Sequence, residues 1–144
     1  MGALTQKRMT RNQTFRTKAF PLASGQTVYQ GGMCVYDTGS LGFVKKGASG
    51  TSTFVRIGNF AESADNSAGN APYVNVKLDQ EVFASWYDNA TGAGKITISS
   101  LFGSAYILDD HTVTGTAGSN AVAGRIWDVD AVKGVLVESV NPPL

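Results

Sequence analysis

A chain of 144 residues is the size of one domain and can bury roughly 70% of its unfolded surface, so it needs no staple to fold. Hydrophobic residues make up 42%, no apolar run approaches the ~20 residues of a membrane span, and the single Cys34 excludes an internal disulfide or a cysteine-based metal site. The net charge of +1 is unevenly spread: five basic and no acidic residues precede Tyr36, whereas the remainder has seven basic against eleven acidic, net −4.

Residues 1–13 have no steady hydrophobic period and are mostly polar, as expected of a flexible arm that orders only on a partner. Together with the next few residues they form a basic arm, 1–19, carrying Lys7, Arg8, Arg11, Arg16 and Lys18. These charges lack a regular aromatic pattern, so docking on a protein surface is expected ahead of nucleic-acid binding. No apolar run follows the basic opening as in a signal peptide, which makes cytoplasmic synthesis the expectation.

The remaining chain, 20–144, reads as one β domain. Gly is abundant at 17 copies, Thr, Val and Ser are frequent, and no helix period is visible. From Thr14 to Ala23 the pattern Phe15, Ala19, Phe20, Leu22 becomes more apolar, and Pro21 places it at a sheet edge or a strand end, because proline cannot donate to a ladder. Thr27–Tyr29 and Met33–Tyr36 read as strand pieces hinged at Gly31-Gly32, with Cys34 a buried small hydrophobe. Leu41–Val44 returns after a turn, and Lys45–Ser52 reads as a loop. In Thr53–Phe60, Val55 and Ile57 alternate with Arg56, which predicts a wet face at Arg56. Glu62–Asn70 is built of turn formers.

Tyr73–Leu78 is the cleanest strand, with Val74, Val76 and Leu78 on one face and Tyr73, Asn75 and Lys77 on the other. Val82–Tyr87 continues as a strand, and Lys95–Ile98 as a short one. Ser99 or Ser100 then caps one helical turn ended by Gly103. Ala105–Leu108 is a strand, Asp109-Asp110-His111 a polar break, and Thr112–Thr114 a strand. The chain closes on a hairpin of Ala123–Val129 and Gly134–Val140, with a positive φ expected at Lys133-Gly134. The sum is an all-β fold of about nine or ten strands, a small antiparallel β-barrel or sandwich with a flexible basic N-terminal arm.

Asp109, Asp110 and His111 bring two acids to the only histidine, the one constellation that suggests catalysis. In an extended strand Asp109 and His111 would share a face and Asp110 oppose them. No Gly-x-Ser-x-Gly turn supplies a nucleophile, so the expected role is a strand-ending turn whose carboxylates accept backbone N–H bonds. Asp109, Asp110, Asp128 and Asp130 are the best oxygen ligands, but their spacing matches no calcium loop. No catalytic residue, cofactor or metal is expected. Trp86, Tyr87 and Trp127 are read as core aromatics ahead of sugar-stacking platforms.

The order of elements resembles the head-decoration, or cement, proteins of tailed bacteriophages. The matching pieces are residues 23–36, Leu41-Gly42-Phe43-Val44, Ile57–Glu62, Asp65–Gly69 and Ala105–Thr114, followed by Ala123–Ile126 and Val135–Val137. The resemblance covers about residues 20–140 and leaves out the arm. It implies a non-enzymatic protein on the outer surface of an icosahedral head, bound to the major capsid protein as a symmetric homo-oligomer, a trimer ahead of a dimer. No membrane and no direct nucleic-acid contact are expected. The alternative is a carbohydrate-binding β module on a virion or cell surface.

Overall fold

A computed structural model describes residues 17–39, 41–70, 72–78 and 84–139. Among them are twelve strands: β1 Thr17–Pro21, β2 Thr27–Val28, β3 Met33–Asp37, β4 Val44–Lys46, β5 Phe54–Phe60, β6 Ala64–Asp65, β7 Tyr73–Leu78, β8 Ala84–Asn89, β9 Ser104–Ile107, β10 Thr112–Thr114, β11 Val122–Asp130 and β12 Gly134–Ser139. The expected all-β barrel is present. It is a closed five-stranded barrel in the order β10-β8-β12-β11-β9 beside a five-stranded sheet in the order β1-β7-β5-β3-β4, with β2-β6 as a small ribbon. Pairing is antiparallel except between β8 and β10, which run parallel, with Thr112 opposite Asp88.

Two cores result. Inside the barrel, Tyr87, Ile96, Ala105, Ile107, Val113, Ala123, Ile126, Val135 and Val137 pack with Met33 and Val35 from β3. The sheet curls around Leu22, Val28, Cys34, Val44, Phe60, Val74, Val76 and Leu78, and a parallel bridge from Leu22 to Val44 joins its two rims. Strand β3 thus sends alternate side chains into different cores, which is why Met-Cys-Val reads as a continuous apolar run rather than an alternating one. Cys34 is buried as expected. Strand β7 alternates as its sequence does, with Val74, Val76 and Leu78 inside.

Several local expectations are corrected. Arg56 is fully buried rather than on a wet face. Strand β5, the central strand of the sheet, turns the Arg56 side toward the barrel, so that side is covered: Arg56 Nη1 donates to the Ala123 carbonyl at 3.1 Å, and its guanidinium lies over the Tyr87 ring. Asn59 completes this polar seam, accepting from Tyr87 Oη and donating to Ser85 Oγ at 3.1 Å. Lys95–Ile98 forms no strand. The Asn89 carboxamide accepts from Ile96 N–H at 2.8 Å and donates to Ile96 C=O at 2.7 Å, taking the part of a strand partner. Short 3-10 turns at Gly92–Gly94 and Ile98–Ser100 flank that segment.

Lys45 and Lys46 belong to β4 rather than a loop, and Leu41–Phe43 turns into it around Gly42, whose φ is +99°. Ala64 and Asp65, expected in a loop, pair with β2. The hairpin is as expected, with Gly134 at φ +98°. Strand β1, Thr17–Pro21, spans the boundary drawn between residues 19 and 20.

Candidate functional site

The Asp109–His111 corner is fixed by its own backbone. Leu108 and Asp109 N–H both reach the Thr112 carbonyl, at 3.1 and 3.3 Å, which folds the chain back from β9 into β10. The Asp109 carboxylate accepts the His111 N–H at 2.9 Å, as the sequence leads one to expect. The corner also couples the two halves of the fold: Met33 N–H donates to the Asp110 carbonyl at 2.6 Å, and Asp88 N–H to the His111 carbonyl at 2.8 Å. Close approach needs small neighbours. A Cβ at Gly32 would stand 3.3 Å from an Asp110 carboxylate oxygen, and one at Gly47 3.1 Å from the Asp109 carbonyl.

The side chains differ from the extended-strand expectation. Because the segment is a turn, both carboxylates face the imidazole on one side: His111 Nδ1 lies 3.1 Å from Asp109 and 2.9 Å from Asp110. The hydrogen bond to Asp110 holds the His111 pKa above its ordinary value, burial opposes it, and the charges of Asp109, Asp110 and Asp88 add to the rise. These three residues are the one group among the described residues whose potential ligand atoms converge, all within 4.8 Å. Asp128 and Asp130 do not join them. Asp128 accepts from Val129 N–H, and Asp130 closes the β11–β12 turn by accepting from Val132 and Lys133 N–H, each at 2.8 Å. The corner brings one histidine and two acids together, and each acid is already engaged by His111.

The outer wall of the barrel is a different kind of surface. Strands β8, β12 and β11 run side by side, with Leu136 opposite Trp86 on one flank and Asp128 on the other. A bulge between Ile126 and Asp128 inserts Trp127 as an extra residue and turns it outward. The expectation that the aromatics are core residues therefore holds only for Tyr87, which is 4% exposed; Trp86 is 37% and Trp127 42% exposed. Alternation explains the split, since Tyr87 faces the barrel interior and Trp86, one residue earlier, faces out.

Trp127 is flanked on two sides: Arg125 lies over its ring at 5.9 Å and Phe102 meets it edge-on at 5.6 Å. Glu138 accepts Arg125 Nε at 2.9 Å. Burial pushes the Glu138 carboxyl up, but the bonds from Trp127 and Arg125 outweigh it and leave it below the ordinary glutamate value. Phe102 is 61% exposed and is the one non-glycine among the described residues at positive φ, +67°. Its N–H donates to the Ile126 carbonyl at 2.8 Å, which fixes this left-handed conformation at a cost of about 1 kcal/mol. Sequence patterning missed Phe102 altogether, because the next residue, Gly103, was the natural place for a special φ.

An open groove of about 690 Å³ lies between the Asn89–Thr97 segment and the β11–β12 turn, lined by Asp88, Thr91, Lys95, Asp130 and Val132 among others. Of the proposed arm residues, Lys18 lies on β1, its ammonium 4.8 Å from the Phe20 ring, while Lys7, Arg8, Arg11 and Arg16 fall outside the described residues. Among the described residues no helix is long and apolar enough to cross a membrane. No protein-family model, no curated protein and no solved structure matches the chain.

Proposed function

We propose that this chain is a non-enzymatic decoration protein that binds the outer surface of a tailed-phage head and stabilises the expanded shell. The reading starts from the ordered set of motifs between residues 20 and 140. The observation that carries it further is the junction of arm and body. Strand β1, Thr17–Pro21, stands at the end of the strand order of the curled sheet with its first three residues exposed, and it carries Lys18 of the acid-free basic segment. An arm entering through an edge strand suits attachment by strand addition to a capsid subunit, with Lys7, Arg8, Arg11, Arg16 and Lys18 steering it to an acidic surface. A ligand that binds only the expanded lattice stabilises that lattice by mass action, and copies grouped on a symmetry axis add avidity.

The test is cosedimentation with expanded heads of the phage that encodes the chain. Deleting residues 1–13 is expected to abolish binding while the body keeps its circular dichroism spectrum and melting transition. Undiminished binding by the deletion would remove the arm from the mechanism.

A second reading has one observation in its favour. Trp86 and Trp127 are exposed on one wall of the barrel, where a sugar ring can stack on an indole face. Binding to a glycan array that is lost in Trp86→Ala or Trp127→Ala would support a carbohydrate-binding module. An array without hits would leave the decoration reading in place.

A further inference from the structure

The open groove of about 690 Å³ falls within the ~300–1,000 Å³ range of small-molecule sites. Its walls are fixed by hydrogen bonds. Asn89 clasps the Ile96 backbone through both ends of its carboxamide, Ala90 N–H donates to the Val113 carbonyl at 3.0 Å, and the Asp130 carboxylate accepts from Val132 and Lys133 N–H. Trp86 stands at one end. It precedes the groove residue Asp88 by two positions on β8, so both side chains leave the same outer face, about 7 Å apart along the strand, while Tyr87 between them points inward. The β11–β12 turn reaches the same ring, with the Lys133 ammonium 5.4 Å from its centroid.

The lining selects a class of ligand. Asp88 and Asp130 oppose an anion, whereas Lys95 in the groove and Lys133 over Trp86 oppose a cation. The two carboxylates accept hydrogen bonds, Lys95 donates, and the Thr91 hydroxyl can do either. Val129 and Val132 add apolar surface, and Trp86, 37% exposed, presents a flat apolar ring. A neutral saccharide carries the matching set, with hydroxyls around its rim and a C–H face that stacks on an indole.

We propose that this groove binds a neutral oligosaccharide, one sugar ring stacked on Trp86 and the next seated between Asp88, Lys95 and Asp130. The ring hydroxyls donate to the two carboxylates and accept from the ammonium. Lys133 gives up its place over the indole at little cost, because an exposed cation–π pair is weak. Walls that are fixed before binding lose little freedom on association. Trp127 lies on the β11 flank of Leu136, away from the groove, and takes no part. The proposal rests on the second reading above and narrows it from a wall with two tryptophans to one groove, one tryptophan and uncharged ligands.

The test is an array of neutral and anionic oligosaccharides probed with the full-length chain, displayed on fluorescent streptavidin for avidity. Isothermal titration with the neutral trisaccharide that binds best then gives the affinity. Binding to neutral oligosaccharides is expected, and it should persist at high ionic strength because the ligand carries no charge to screen. Trp86→Ala and Asp88→Ala, both at exposed positions, should each weaken it about ten-fold or more while the melting transition persists. Trp127→Ala should leave it unchanged. An array silent for neutral glycans, binding confined to anionic ones, or binding lost at high salt would overturn the proposal. So would neutral binding that is indifferent to Asp88→Ala or lost in Trp127→Ala, although the broader carbohydrate reading would then stand. No heads enter the assay, so the decoration reading is judged by cosedimentation alone.

Discussion

Gly124 offers the sharpest check on the geometry of the outer wall. It sits in β11 between β9 and β12, opposite Ala105 on one side and Ser139 on the other. A Cβ built there would overlap the Glu138 carbonyl oxygen, 2.8 Å from Val137 Cγ1 and 2.9 Å from the Glu138 carbonyl carbon. Two of these neighbours are backbone, so no flexible side chain can give way. Gly124→Ala must therefore push β11 from β12 next to the Arg125–Glu138 pair. Overpacking of this kind costs typically 1–3 kcal/mol. Weakening one or two ladder bonds adds about 1 kcal/mol each, for a total of about 4 kcal/mol. That is a large share of a typical stability of roughly 5–15 kcal/mol, and should lower the melting temperature by about 10–15 °C. Urea unfolding followed by circular dichroism and tryptophan fluorescence measures it. A loss below about 1 kcal/mol would show that β11 and β12 do not approach as described.

Two further outcomes follow from the polar contacts. Asn89→Ala leaves the N–H and C=O of Ile96 without their side-chain partner beside the barrel core, and should cost about 2 kcal/mol in the same unfolding assay; a cost within error would mean water replaces the carboxamide fully. At the corner, the His111 pKa is raised in the folded state, so its contribution to stability is complete below the ordinary histidine pKa near 6.5. It is lost as pH rises through the higher folded value. Melting temperature should therefore fall between mildly acidic pH and pH 8 by more in the wild type than in His111→Ala, and a titration of the ring by NMR should give a pKa above that of a model peptide. An equal pH slope in the two proteins would remove the Asp–His pairing from the energetics.

The elements most legible in the sequence were those with a one-sided environment. Strand β7 alternates because one face meets the sheet core and the other meets solvent, and the Asp109–His111 turn announces itself through carboxylates that bond their own backbone. What stayed illegible depended on the second layer. Arg56 looks like a solvent-facing residue until a barrel is packed over β5, and Ile96 looks like a strand residue until Asn89 satisfies it from within the same chain segment. The candidate surface was half visible. Trp86 and Trp127 were singled out for their chemistry, but their exposure depends on strand phase and on one bulge, neither of which the local pattern states. Phe102 and the partners of Glu138 came only from the three-dimensional arrangement.

The decoration reading makes one demand that nothing else in the fold requires, namely preference for one state of a capsid lattice. The direct measurement is cosedimentation of the full-length chain with unexpanded and expanded heads in parallel. Saturable binding to expanded heads, with none to unexpanded heads, is the predicted result. Equal retention on both, or on neither, would contradict it.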